Sequence, residues 1–186
     1  MTEEPMTPIF LIVGSPGVGK STIGRALAAK FDRSLHIPVD TIRYMVVSGI
    51  ELPDFQWSQE LIEQLVVARE SVCAMAFRYN RNGFVVTVDD FWDHNSQLTE
   101  YQGLMAASQT HKILLYPREE TALARNFGRY GPGEKNDRFA GAIRFVYSQL
   151  YPAVTELKEQ GWLIVDSTEQ SIEETVAEIL ERKGSN

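Results

Sequence analysis

The chain has 186 residues, of which 44% are hydrophobic and 23% charged, and its 18 basic and 25 acidic side chains give a net charge of −7. This composition predicts one globular domain with a complete core. The acidic balance argues against broad binding to duplex nucleic acid, which depends on many Lys and Arg contacts to phosphates. The single cysteine, Cys73, excludes an intrachain disulfide. It fits the reducing cytoplasm, where we expect the protein to reside.

Strand patterns and helix patterns alternate along the chain after a predicted loose tail at residues 1–8. Five apolar runs predict strands: Ile9 to Val13, Leu35 to Val39, Phe84 to Val88, Lys112 to Tyr116 and Trp162 to Val165. Helical periodicity predicts helices at Thr22 to Phe31, Gln59 to about Arg81, Leu98 to Ser108, from about Glu119, from Asp137 to Gln160 with a break or kink near Pro152, and from Ser171 to about Lys183. Such alternation indicates a parallel sheet covered by helices on both faces. No apolar run is long enough to span a membrane, so no membrane association is expected.

A glycine-rich segment follows the first predicted strand and matches the pattern G-x-x-x-x-G-K-[ST] of the Walker A loop. An apolar strand runs into it and an amphipathic helix leaves it, which is the context that the motif requires. Backbone N–H groups in such a loop face an anion, and the helix dipole adds to the attraction. The segment predicts nucleotide contacts from Gly14, Ser15, Pro16, Gly17, Val18, Gly19, Lys20, Ser21 and Thr22. Lys20 is expected on the β- and γ-phosphates of ATP and Ser21 on Mg²⁺.

Two carboxylates, Asp89 and Asp90, follow the third predicted strand. Ligands of open α/β sheets bind outside the carboxyl ends of the strands. A carboxylate there can hold Mg²⁺ or orient a substrate, so both are candidates for substrate binding and Asp89 for the metal. Adjacent strand residues point to opposite faces, so only one of the pair is expected to face the metal. The alternative is an ordinary polar turn.

A second acidic position, Asp40, follows the second predicted strand, and Arg43 lies three residues further on. A carboxylate at this edge of the sheet can take the proton of an attacking hydroxyl. Both residues are therefore candidates for acceptor binding, with Asp40 as a catalytic base. The local sequence equally supports a structural interpretation, in which Asp40 caps a helix and pairs with Arg43.

Three arginines, Arg125, Arg129 and Arg138, flank the glycine-rich stretch 128–133, which is predicted to be mobile. Arginines in a closing lid can stabilise the charge of a transferred phosphoryl group, so residues from about 125 to 138 are a candidate lid and these arginines candidate catalytic residues. The alternative is a solvated basic surface. Nearby aromatic and polar residues are compatible with either an acceptor pocket or the core: Phe55, Trp57, Phe91, Trp92, Asp93 and His94.

The motifs GSPGVGKS, VDTIR, VTVDDFW, NDRFAG and VDST together resemble the small P-loop kinases. This group includes shikimate and gluconate kinases, zeta toxins and 5′-hydroxyl polynucleotide kinases, and the sequence most resembles chloramphenicol phosphotransferases. The resemblance spans residues 9–183. It implies an α/β P-loop NTPase fold, a three-layer sandwich with a five-stranded parallel sheet in the order 2-3-1-4-5 and a short lid. It also implies transfer of the ATP γ-phosphate to a hydroxyl, with Asp40 as general base and Val165 to Thr168 near the adenine. Residues 44–60 do not match the acceptor region of the antibiotic kinases.

Three functions remain open at this point. The first is a kinase acting on a hydroxyl of an antibiotic-, sugar- or nucleoside-like small molecule. The second is a 5′-hydroxyl polynucleotide kinase, in which a nucleic-acid 5′ end is the acceptor and Arg43 binds its phosphate. The third is an ATPase switch without a phosphoryl acceptor. The sequence is compatible with a homo-oligomer, and the absence of an NKxD-type motif disfavours GTP.

Overall fold

The computed structural model describes residues 7–52, 57–93 and 98–183 of the chain. Its strands are β1 (Ile9–Gly14), β2 (Ser34–Pro38), β3 (Val85–Phe91), β4 (Thr110–Leu115) and β5 (Leu163–Val165). Its α-helices are α1 (Lys20–Ala28), α2 (Val39–Arg43), α3 (Gln59–Asn80), α4 (Gln102–Met105), α5 (Glu119–Tyr130), α6 (Glu134–Glu159) and α7 (Ile172–Arg182). Within these ranges, none of the helices combines the length and the apolar character that crossing a bilayer demands.

The five strands form one parallel sheet in the order β2-β3-β1-β4-β5, which confirms the predicted topology. Strand β1 lies at the centre, with Ile12 beside Asp89 of β3 and Ile113 of β4. Because all strands are parallel, their carboxyl ends meet at one edge of the sheet. Gly14, Asp89 and the start of α2 are therefore brought to the same edge.

Strand β1 is buried on both faces, as its continuous apolar run predicts. Leu11 and Val13 contribute to a core with α3 and α6, whereas Phe10 and Ile12 contribute to a second core with α1 and α7. Each fully buried Leu, Ile or Phe side chain contributes about 1.5–3 kcal/mol to folding. The helices therefore form layers on both faces of the sheet, and the predicted three-layer sandwich is confirmed.

Several local predictions differ from the structure. Strand β3 continues through Asp90, so both carboxylates belong to the strand and not to a turn after it. Of the predicted break or kink near Pro152, no break occurs, since helix α6 continues through the proline with buried residues on both sides. The helix predicted from Leu98 to Ser108 is only a 3-10 turn followed by the short α4. The loose tail does not extend to Thr7, whose hydroxyl donates to the carbonyl oxygen of Phe84 at 2.9 Å. Residues 1–6 lie outside the described ranges.

Candidate phosphate-binding and metal site

The predicted phosphate loop connects the end of β1 to the start of α1 and packs against α5. Gly17 has a φ of +80°, and a Cβ built there would lie 2.8 Å from the carbonyl oxygen of Ala122. A side chain at residue 17 would therefore collide with the backbone of α5, in a conformation that already favours glycine. The shape of the loop thus depends on a close backbone-to-backbone approach.

Two polar groups of this loop suit a bound phosphate. Lys20 folds back on the loop and donates from Nζ to the carbonyl oxygen of Ser15 at 2.9 Å. Ser15 is 1% exposed, and its hydroxyl has no hydrogen-bond partner within the described part of the chain. A buried hydroxyl without a partner is costly, and an anion in the loop can accept a hydrogen bond from it. These residues therefore fit the phosphates of a nucleotide.

Burial and nearby carboxylates shift the pKa of Lys20 in opposite directions. Burial lowers the pKa of Lys20, whereas the negative charges of Asp89, Asp40 and Asp90 raise it. All three carboxylates thus lie close enough to the ammonium group to act on it electrostatically. A phosphate bound in the loop would add negative charge on the same side and favour the protonated lysine.

Ser21 and Asp89 meet across the edge of the sheet. The Ser21 hydroxyl donates to Oδ1 of Asp89 at 2.7 Å, and Asp89 is 4% exposed. Mg²⁺ prefers oxygen ligands and is usually held by one or two protein groups together with substrate phosphates. The Ser21 hydroxyl and the Asp89 carboxylate lie beside the phosphate loop and fit that ion, so these residues would hold it.

Asp90 points away from this site, as the alternation of strand residues predicts. Its Oδ2 accepts from Nε of Arg69 at 2.8 Å and from the Tyr101 hydroxyl at 3.0 Å, and its Oδ1 accepts from the Phe91 N–H at 2.8 Å. Burial raises the pKa of Asp90, and Arg69 opposes that shift. The carboxylate is 3% exposed and engaged on both oxygens. The geometry thus brings Asp89, and not Asp90, to Ser21 on the expected metal side, and substrate binding by Asp90 stays a prediction.

Arg69 was not identified from the sequence, although it is central to this part of the structure. Its side chain is fully buried, and its Nη1 also donates to Asp93 at 2.7 Å and Glu100 at 3.3 Å. Asp90 and Asp93 raise the pKa of Arg69, against the lowering effect of burial. A clue was present in the sequence, because residue 69 continues the apolar stripe of Leu61 and Leu65 at helical spacing. A charged residue on such a stripe indicates a buried ion pair.

Asp40 lies in the first turn of α2, directly after β2, and its side chain is 68% exposed. Arg43 is 5% exposed, lies 3.8 Å from Asp40 and donates to the carbonyl oxygen of Glu51 at 2.8 Å. The pairing that the sequence suggested is therefore present. It leaves the carboxylate of Asp40 accessible on the side of the sheet where Lys20 lies.

Arg125 connects three segments of the site. Its guanidinium donates to the carbonyl oxygens of Val18 in the phosphate loop at 3.0 Å and of Ser167 after β5 at 2.8 Å. These contacts connect the phosphate loop to α5 and to the segment after β5. The sequence could not reveal them, because Arg125 and Val18 are 107 residues apart.

The other two candidate lid arginines lie farther along the same helical hairpin. Arg129 is exposed near the end of α5 and stacks over Tyr130, and Arg138 is exposed in the first turns of α6. The first half of the glycine-rich stretch is helical, since α5 ends only at Tyr130. The two helices are joined by the Asn126 side chain, which donates to Oδ1 of Asn136 at 2.8 Å. The lid movement and the catalytic role of these arginines remain predictions.

An open surface depression of about 460 Å³ lies beside Arg125 and is otherwise lined by Arg118, Glu120, Thr121 and Ala124. The segment after β5 borders α5 here, because the Arg118 N–H donates to Oγ1 of Thr168 at 2.7 Å. Thr168 belongs to the segment Val165 to Thr168, which the resemblance to small P-loop kinases implies to be near the adenine.

The aromatic residues considered for an acceptor pocket are divided between the core and the surface. Trp92 is buried and packs edge-to-face on Trp162. Trp57 and Phe91 are half-buried and contact each other edge-to-face, with ring centroids 6.1 Å apart. Phe55 and His94 lie outside the described residues.

Replacing Arg125 by alanine should weaken ATP binding about tenfold, which corresponds to about 1.4 kcal/mol. The buried carbonyl groups of Val18 and Ser167 lose a charged donor, so the phosphate loop is held less firmly in its binding conformation. Isothermal titration calorimetry measures this change, with Arg144→Ala on the exposed face of α6 as the control. If ATP affinity is unchanged and only turnover falls, Arg125 acts on the reaction itself, as the lid hypothesis states.

No protein-family model matches the chain. Among curated proteins, the adenylate kinases of Campylobacter concisus (strain 13826) and Campylobacter curvus (strain 525.92) are each 28% identical, over 184 and 185 residues. Both alignments cover 94% of this chain and 96% of the relative. The likeness therefore extends over nearly the whole chain.

Among solved structures, a gluconokinase from Sinorhizobium meliloti 1021 superposes with a TM-score of 0.61 at 17% identity, covering 96% of this chain and 92% of that one. A shikimate kinase from Acinetobacter baumannii, solved with shikimate, superposes with a TM-score of 0.63 at 16% identity, covering 97% of this chain and 94% of that one. At this identity the likeness shows the fold. Together with the strand order and the phosphate loop, it shows that the chain has the P-loop NTPase fold found in small kinases.

Proposed function

We propose that the protein is an ATP- and Mg²⁺-dependent phosphotransferase that transfers the γ-phosphate to a hydroxyl of a small molecule. In this proposal residues 1–186 form a single kinase domain, and residues from about 125 to 138 act as its lid. The observation that carries the proposal is the accessible carboxylate of Asp40, which lies on the same sheet edge as Lys20 and acts electrostatically on it. ATPases without an acceptor do not require a base at this position, whereas hydroxyl kinases do.

The reaction assigns a distinct task to each group. As the acceptor oxygen forms its bond to the γ-phosphorus, the bond between that phosphorus and the bridging oxygen of ADP breaks, and Asp40 takes the hydroxyl proton. Lys20 and the N–H groups of the loop hold the phosphates, and Arg129 and Arg138 face the transferred charge when the lid closes. Bound Mg²⁺ would neutralise phosphate charge beside Ser21 and Asp89.

The surface near Asp40 favours an acceptor with an apolar face. The segment after α2 exposes three bulky side chains, with Tyr44 64%, Met45 66% and Val47 100% accessible. Exposed apolar patches often mark ligand-binding surfaces. This feature supports an antibiotic- or nucleoside-like acceptor over a plain sugar.

The relatives named adenylate kinase favour a second candidate, transfer to a nucleotide phosphate. A phosphate acceptor is already ionised, so it needs cations around it and no base. Arg43 lies 3.8 Å from Asp40, but its buried side chain donates to the carbonyl oxygen of Glu51, and Lys20 is assigned to the phosphates of ATP. The exposed carboxylate of Asp40 would repel such an acceptor. The hydroxyl acceptor is therefore our preferred proposal.

A panel of acceptors tests the proposal directly. Nucleosides, sugars, antibiotics, nucleoside monophosphates and DNA 5′ ends are each incubated with ATP, Mg²⁺ and enzyme, and acceptor-stimulated ADP release is followed with mass detection of the phosphorylated product. We expect stimulation by a small hydroxyl compound. Stimulation by monophosphates alone supports the second candidate, and steady hydrolysis without any stimulation contradicts both.

Replacing Lys20 by alanine should weaken the binding of ATP with Mg²⁺ by roughly 10–100-fold, because a hydrogen bond to a charged group contributes about 1.5–3 kcal/mol. Calorimetry with a non-hydrolysable ATP analogue measures the effect. Lys30→Ala is the matched control, since Lys30 is exposed beyond the end of α1. Unchanged affinity in Lys20→Ala would show that the phosphates bind elsewhere.

A further inference from the structure

We infer that His36 is a positioning residue for the metal-side carboxylate of Asp89, an inference that rests on the proposed function. Nε2 of His36 lies 2.7 Å from Oδ2 of Asp89, while Oδ1 of the same carboxylate accepts from Ser21 at 2.7 Å. An ionised carboxylate only accepts hydrogen bonds, so the imidazole must carry its proton on Nε2. The two oxygens of Asp89 are thus held by two different side chains.

The burial of this contact makes it a strong constraint. The side chains of Asp89 and His36 are 5% and 15% exposed, so little water is available to replace the bond. Hydrogen bonds to charged groups are about twice as strong as neutral ones, and they strengthen further away from solvent. His36 therefore restricts rotation of the carboxylate and leaves Oδ1 directed at Ser21.

Helix α1 leaves room for the imidazole of His36 because residue 24 is glycine. A Cβ built on Gly24 of α1 would lie 2.9 Å from Nε2 of His36, closer than two such atoms can approach. The Thr87 hydroxyl donates to the carbonyl oxygen of Gly24 at 3.1 Å and so holds α1 on the sheet at this level. Since the helix cannot easily move away, the small residue at position 24 provides the space that His36 needs.

Loss of the His36 side chain should weaken metal binding more than nucleotide binding. Loss of a partner that orients a metal-binding group typically weakens metal affinity by about 10–100-fold. His36 contacts Asp89 and does not belong to the phosphate loop, so ADP binding without metal should be preserved. The expected pattern is a selective loss of the Mg²⁺-dependent part of nucleotide affinity.

Calorimetric titration of the full chain with ADP, in EDTA and across a series of Mg²⁺ concentrations, tests this inference. We expect His36→Leu to bind ADP normally in EDTA and to need about 10–100-fold more Mg²⁺ for the same gain in affinity. His36→Gln retains an N–H donor near the position of Nε2 and should restore most of the Mg²⁺ response. His111→Leu, which removes a half-buried histidine from β4, is the matched control.

Gly24→Ala provides a test that leaves His36 in place. The added methyl group should displace the imidazole from Asp89. Alanine favours a helix over glycine by about 1 kcal/mol, which offsets part of the cost of losing the buried hydrogen bond. This variant should therefore remain folded and show the same Mg²⁺ defect.

The outcomes separate the inference from the proposed function. A normal Mg²⁺ response in His36→Leu or Gly24→Ala overturns the positioning role. Equal defects in His36→Leu and His36→Gln also overturn it, because they indicate packing and not hydrogen bonding. If Mg²⁺ does not enhance ADP binding even in the parent protein, the proposed function fails at its metal site, and the inference fails with it.

Discussion

Replacing Asp40 by asparagine should lower acceptor phosphorylation by about 10²–10⁴-fold, the range expected for loss of a general base. Asparagine preserves the shape of the side chain but cannot take the proton of the attacking hydroxyl. The P-loop contacts are made by other residues, so ATP affinity should be largely retained. Product formation at saturating ATP and acceptor measures the loss, and calorimetry measures the affinity.

Asp32→Asn is the matched control for this experiment. Asp32 is exposed in the turn before β2, at the opposite end of that strand, and its replacement removes one negative charge without approaching Lys20. Nearly normal turnover in both variants would show that no base is needed at position 40. That result would contradict a hydroxyl acceptor and favour transfer to a group that is already ionised.

The fold could be predicted from the sequence because its determinants are local. A continuous apolar run such as Ile9 to Val13 specifies a strand covered on both faces, and the helical patterns between the strands specify parallel crossovers. The phosphate loop was equally accessible, since strand, glycines, Lys20 and Ser21 lie within a few residues of each other. The strand order itself came from the resemblance to small P-loop kinases, and the structure confirms it.

The contacts inside the site could not be predicted, because they join residues that are distant in sequence. His36 meets Asp89 only because β2 and β3 are neighbours in the sheet, and the partners are 53 residues apart. Asp89 contacts Ser21 and Asp90 contacts Arg69 because α1 packs on one face of β3 and α3 on the other. Alternation predicted that the two differ, but only packing decides which of them meets Ser21.

Removing Arg69 from its buried hydrogen-bonded group with Asp90, Asp93, Glu100 and Tyr101 should destabilise the fold strongly. Arg69→Met should lower the free energy of unfolding by about 3–5 kcal/mol, because breaking a buried pair leaves its carboxylates without a counter-charge. A chain of this size loses roughly 2–4 °C of Tm for each kcal/mol, so thermal and urea unfolding both measure the effect. Arg78→Met, on the exposed face of the same helix, should change stability by less than about 0.5 kcal/mol.

The pH dependence of this defect distinguishes lost charge from lost packing. Burial already raises the pKa of Asp90 above its ordinary value, and removing Arg69 takes away the main opposing charge. A carboxyl group with a raised pKa in the folded state binds its proton more tightly there than in the unfolded chain, so its destabilising effect grows as the pH rises above its unfolded value. The stability deficit of Arg69→Met should therefore shrink as the pH falls from neutral toward the unfolded pKa of the carboxyl group. Adding Asp90→Asn should restore part of the stability at neutral pH, since the amide carries no charge to bury. A deficit that stays constant with pH and is not relieved by Asp90→Asn would show that Arg69 acts through its packing against Phe91, over which its guanidinium lies at 5.2 Å.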